Sequence, residues 1–163
     1  KNLRGICPTI GINVQDLNLS YCKHLQFDTS MFEIQKDCFQ LNTLFLSECQ
    51  INLFKCGIHH LSSTLINLFL HDEKFECNME LELKNIHQLE VLRLVNCKKI
   101  DGMIFNNLKE WRQMRILDLH SSQNLTGCIP HHPIKNSSLT CLNLSNCNGF
   151  YGKVPYSILN IKK

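Results

Sequence analysis

The chain has 163 residues, 44% of them apolar and 19% charged, which is one domain's length with enough apolar material for a core and excludes a disordered tail. Its formal net charge of +3 falls far short of a nucleic-acid-binding surface, and no apolar run reaches the roughly 18 residues of a membrane span. A soluble globular protein is expected, with ten cysteines, 25 leucines and no alanine as its oddities.

Residues 1–11 carry no periodic pattern and are expected to form an edge or the tail of a preceding unit. The start at Lys1, without a charged and apolar leader, reads as a fragment or a processed chain. From Val14 onward one frame, apolar-x-x-Leu-x-Leu-x-x-Cys, recurs six times. It runs Val14/Leu17/Leu19/Cys22, Leu41/Leu44/Leu46/Cys49 and Leu65/Leu68/Leu70/Glu73, then Leu89/Leu92/Leu94/Cys97, Met114/Leu117/Leu119/Ser122 and Leu139/Leu142/Leu144/Cys147. The middle leucines are 24–27 residues apart.

Between these frames the chain must return to the start of the next. Asp28–Phe39 reads as a helix capped by Asp28 or Ser30, burying Phe32, with Phe39 a second candidate for the buried face. Asp101–Met114 reads as the clearest helix, with Asp101 as N-cap and Ile104, Phe105, Leu108 and Trp111 as an apolar stripe at three- and four-residue spacing. Pro130 and Pro133 argue for an extended return over Gly127–Ser138, and Tyr156–Ile161 for a short final turn.

Side chains in a strand alternate between faces, so each Leu-x-Leu predicts a short strand with its leucines inward. One such strand cannot bury its leucines alone. Stacked about 4.8 Å apart, six of them make a parallel sheet in which each unit touches only its neighbours.

A repeat of 20–29 residues with this leucine spacing resembles the leucine-rich repeat superfamily. More narrowly it resembles the cysteine-containing type found in F-box substrate receptors of cullin ubiquitin ligases. The matching segments are Cys22-Lys23-His24-Leu25, Cys97-Lys98-Lys99-Ile100-Asp101 and Cys147-Asn148-Gly149-Phe150, with Leu125-Thr126-Gly127 following Ser122. Cys49-Gln50-Ile51 and Glu73-Lys74-Phe75 depart from that pattern by one residue. The resemblance covers residues 12–155. It implies an α/β fold, a right-handed parallel solenoid bent into a horseshoe-like arc of about six repeats starting near 14, 41, 65, 89, 114 and 139, forming one domain over 1–163. It also implies a cytosolic or nuclear substrate-binding arm, with the ligase adaptor engaged through sequence outside this chain.

Leu125-Thr126-Gly127-Cys128-Ile129-Pro130 and Gly152-Lys153-Val154-Pro155 resemble instead a turn of plant receptor ectodomains. Four glycosylation sequons, at Asn18, Asn124, Asn136 and Asn143, would suit that secreted alternative, though Asn18 and Asn143 fall inside the strand frame.

In the cysteine-containing type, Cys22, Cys49, Cys97 and Cys147 take one repeated position as small buried thiols. Cys7, Cys38, Cys56, Cys77, Cys128 and Cys141 have no repeat position. Cys56 and Cys128 each precede a His-His pair, His59-His60 and His131-His132, but the two groups sit three units apart, about 15 Å at sheet spacing, so neither a shared metal nor any other cofactor is expected. Asp118, His120 and Ser121 are adjacent in sequence, yet two of them project from an open sheet that does not exclude water, so no catalysis is expected.

The outward positions form columns across the sheet. The central one reads Asn18, Phe45, Phe69, Arg93, Asp118, Asn143, and the next Ser20, Ser47, His71, Val95, His120, Ser145. Large aromatics beside an arginine on a solvent face are a hot-spot composition. Phe45, Phe69, His71, Arg93, Asp118 and His120 are therefore the expected contacts for a partner protein or peptide, with Arg93 and Asp118 also placed for a cross-strand ion pair.

Overall fold

A computed structural model describes residues 4–6, 13–26, 40–49, 57–71, 83–98, 102–129 and 138–153, with Leu81, Ile100 and Tyr156. The strands are β1 (Arg4–Ile6), β2 (Asp16–Asn18), β3 (His24–Gln26), β4 (Thr43–Phe45), β5 (Asn67–His71), β6 (Val91–Val95), β7 (Ile116–Asp118), β8 (Thr126–Gly127), β9 (Cys141–Asn143) and β10 (Gly149–Phe150). Six of them form one parallel sheet in the order β2-β4-β5-β6-β7-β9, so the chain is a parallel-strand solenoid. Register runs leucine to leucine: Leu17, Leu44, Leu68, Leu92, Leu117 and Leu142 are successive partners.

Backbone bonds extend the sheet past its strands at both ends. Before the strands, the N–H groups of Asn42 and Thr43 both donate to the Gln15 carbonyl, and the pattern repeats at the carbonyls of Asn42, Ile66, Glu90 and Arg115. Beyond them, Leu19 N–H donates to Phe45 C=O at 3.0 Å and Leu46 N–H to Phe69 C=O at 3.0 Å.

The core is the inward leucine ladder, and it is driest in the middle. Leu44, Leu46, Leu68, Leu70, Leu92, Leu94, Leu117 and Leu119 are at most 1% exposed, whereas Leu17, Leu19, Leu142 and Leu144 at the two ends are only partly buried. Each fully buried leucine contributes about 1.5–3 kcal/mol of hydrophobic stabilisation. The central units therefore carry most of it.

Five of the six strands of the main sheet are followed by a residue in left-handed backbone. Tyr21, Glu48, Asn96, Ser121 and Asn146, the equivalent position in five units, have φ between 53° and 66°. The turn this makes lets the following residue's N–H reach back to the second leucine: Cys22 N–H donates to Leu19 C=O at 3.2 Å, Ser122 to Leu119 at 3.3 Å and Cys147 to Leu144 at 3.2 Å. Glycine relieves the Cβ clash of this conformation at no steric cost, and none of the five is glycine. Tyr21, which is 62% exposed, loses little packing on replacement. Tyr21→Gly is expected to raise unfolding free energy by about 0.5–1 kcal/mol in a urea titration, the relieved strain outweighing the added unfolded-state freedom.

The described parts of the returns contain less regular helix than the sequence pattern predicts. Over Asp101–Met114 the observed element is a 3₁₀ helix, Gly102–Lys109, and Asp101 lies outside the described residues. Three residues per turn eclipse side chains at i and i+3. Ile104 with Asn107 and Phe105 with Leu108 form two buried rows, and Asn106 with Lys109 the exposed one. The expected stripe is thus buried as predicted, on a tighter helix. The Asn107 carbonyl closes it by accepting the Glu110 and Trp111 N–H groups at 2.9 and 3.0 Å. A second 3₁₀ turn, Ile58–Leu61, buries Ile58 and Leu61. The expected helix Asp28–Phe39 and the returns holding Pro130 and Pro133 lie outside the described residues, as does most of Tyr156–Ile161. Among the described residues no helix is long and apolar enough to cross a membrane.

Two further parallel strand pairs stand apart from the main sheet, β1 with β3 and β8 with β10. Part of residues 1–11, which show no frame, is thereby paired with the segment after Cys22. At β10 the approach is close: a Cβ on Gly149 would sit 2.3 Å from the Leu125 carbonyl oxygen, so the strand needs glycine there.

Candidate functional site

The repeated position after each strand carries a ladder of thiols. The Sγ–H of Cys49 donates to Leu19 C=O at 2.8 Å and that of Cys147 to Leu119 C=O at 3.0 Å, and Cys97 Sγ lies 3.8 Å from Leu70 C=O. Each thiol thus engages the second leucine of the preceding unit. Ser122 takes the same place in its own unit: its hydroxyl donates to Leu94 C=O at 2.9 Å and accepts the Cys97 N–H at 3.1 Å. Burial, the largest cause, pushes the Cys147 thiol above its ordinary pKa and keeps it in the protonated form that donates. These side chains hold the units together. Cys128 and Cys141 are exposed free thiols.

Among the described residues no group of three or more His, Cys, Asp or Glu side chains is placed to hold a metal ion. The His59 and His60 rings pack in a tilted arrangement, with centroids 4.1 Å apart and planes at 44°. Cys56, His131 and His132 lie outside the described residues.

On the outward face the central column divides into two kinds of position. Asn18, Asp118 and Asn143 each turn a side-chain oxygen back to the N–H two residues on, Ser20 at 3.0 Å, His120 at 3.2 Å and Ser145 at 3.1 Å. This local bond is the ordinary use of Asn and Asp at a turn. The three middle strands forgo it. Phe45, Phe69 and Arg93 stand there instead, successive register partners on β4, β5 and β6.

Their geometry follows from the register. Neighbouring strands are about 4.7–4.9 Å apart, so two phenylalanines at paired positions must stack. Phe45 and Phe69 do so, with centroids 4.5 Å apart and planes 9° from parallel. Arg93 continues the row, its guanidinium carbon 5.7 Å from the Phe69 centroid, within cation-π range. Both rings are half-buried and Arg93 is exposed. The row borders an open groove of about 360 Å³, lined also by His71, Val95 and His120.

Asp118 and Arg93 are register partners, but the cross-strand ion pair is not formed. The Asp118 carboxylate meets His120 instead: Oδ1 is 2.8 Å from Nδ1 and also accepts the His120 N–H. Asp118 therefore fixes the turn and the imidazole rather than facing the groove. The Ser121 hydroxyl accepts from the Asn146 side chain at 3.4 Å. Of the six residues expected to contact a partner, the structure gathers Phe45, Phe69, His71, Arg93 and His120 around one groove, and Asp118 does not line it but bonds to His120.

A scan against protein-family models and a search of curated proteins return no match for this chain.

Proposed function

We propose that the chain is a leucine-rich repeat module that performs no catalysis and binds a partner protein or peptide on the outward face of its sheet. The observation that supports this most directly is the Phe45–Phe69–Arg93 row, where three consecutive units place hot-spot residue types at a position that elsewhere in the sheet holds the turn-fixing Asn or Asp. The thiol ladder supports the cysteine-containing type of repeat, and with it a substrate-receptor arm in the cytosol or nucleus whose ligase adaptor is reached through other sequence.

Replacing Phe69 and Arg93 together with alanine tests the site. Affinity for a partner of the wild-type protein is expected to fall by well over about 1 kcal/mol, more than roughly fivefold, with the fold intact because neither side chain belongs to the leucine core. Unchanged affinity would move the site to the return segments.

A second reading, a secreted ectodomain recognising an extracellular ligand, is favoured by one feature. The segment that resembles the plant receptor turn forms the parallel pair β8–β10, with Gly127 at φ 116°. Thiol counting separates the two. Denatured without reductant, the cytosolic protein is expected to alkylate at all ten cysteines, whereas a secreted form would leave some of them in disulfides.

A further inference from the structure

The groove has a chemistry that specifies its occupant further, provided the sheet face is the binding face proposed above. One wall is apolar: Phe45 and Phe69, stacked and half-buried, with Val95 alongside. The other feature is electrostatic. β4 to β7 carry just two full charges, Arg93 and Asp118. The Asp118 side chain is 13% exposed with its carboxylate bonded to His120, whereas Arg93 is exposed. Among the described residues that line the groove, the permanent charge presented to a ligand is therefore cationic and single.

A guanidinium laid against an aromatic ring keeps the donors along its edge, in a fork that matches one carboxylate with two parallel hydrogen bonds. Recognition of a phosphate in peptides draws on clusters of arginines, and this groove has one. Its volume of about 360 Å³ lies at the lower end of ligand sites, room for one or two side chains rather than a folded surface. We infer that the groove binds a short segment of a partner protein in which an aromatic or large aliphatic side chain is followed or preceded within two residues by an aspartate or glutamate, the apolar group against Phe45 and Phe69 and the carboxylate on Arg93.

The test is a selection of random displayed peptides on the folded protein, with each enriched peptide rebound to Phe69→Ala and Arg93→Gln. Both substitutions are on the outward face and are checked for a cooperative melting transition that shows the fold retained. Enriched peptides are expected to carry the apolar-acidic pair and to lose binding to Phe69→Ala. Converting the peptide's acid to its amide is expected to weaken binding to the wild type about tenfold and to matter less than about twofold on Arg93→Gln, since the charged pair is then already broken. Peptides that need Phe69 but show no acidic preference, or that bind Arg93→Gln as well as the wild type, overturn this inference and leave the protein-binding face standing. Selection that yields no Phe69-dependent peptide overturns both.

Discussion

Replacing Trp111 with alanine is expected to lower unfolding free energy by about 3–5 kcal/mol, the range for emptying a large buried aromatic site. Trp111 is fully buried, and its indole Nε1–H donates to the Leu83 carbonyl in the preceding return at 3.1 Å. The residue thus ties two neighbouring units across the side of the molecule opposite the strands' register bonds. Two contributions are separable. Trp111→Phe keeps most of the packing and removes the hydrogen bond. Because the Leu83 carbonyl still accepts the Ile86 N–H at 3.1 Å, it is not left unsatisfied, and this variant is expected to cost only about 1–2 kcal/mol. Denaturant titrations of the two variants check the ordering. Equal losses would mean that the hydrogen bond rather than the ring volume dominates.

The second large effect is expected at Ser122. Its hydroxyl serves two buried main-chain groups at once, the Leu94 carbonyl and the Cys97 N–H. Alanine fits the space but removes both hydrogen bonds from buried main-chain groups, so Ser122→Ala is expected to cost about 2–4 kcal/mol. Ser122→Cys is expected to cost less than half of that, because a thiol makes the corresponding bond at Cys49 and Cys147. Chemical denaturation monitored by circular dichroism measures both. A cysteine variant as unstable as the alanine one would show that the ladder depends on hydroxyl geometry rather than on having a donor at that position.

The inward leucines and the strand register were readable from the chain because a period of two within the frame and a period of 24–27 residues between frames point to the same face. The ladder of thiols was readable for the same reason. Other features carried no such double signal. A stripe such as Phe105, Leu108 and Trp111 is common to α and 3₁₀ helices. What decides between them is the exposed row Asn106 and Lys109, which becomes meaningful only once Asn107 is seen to be buried. The left-handed corners were hidden because the chain places Tyr, Glu, Asn and Ser where glycine would have announced a turn. At the candidate site, Phe45, Phe69 and Arg93 were legible as exceptions to a polar column. Asp118 was misleading: it has the charge to pair with Arg93, but a local bond to the N–H two residues on, joined by His120, competes successfully for the carboxylate. The strand pairs β1–β3 and β8–β10 left no trace of alternation, being two or three residues long.

The Phe45–Phe69–Arg93 row crosses three strands, and in a stack where each unit is bonded only to its neighbours that placement has a mechanical meaning. A ligand seated along one strand would stabilise one unit. A ligand lying across the row adds to the two interfaces β4–β5 and β5–β6 together, and so acts as a splint: amide exchange should slow from Leu41 to Val95 on binding, while the half-buried leucines at either end go on opening at their former rate.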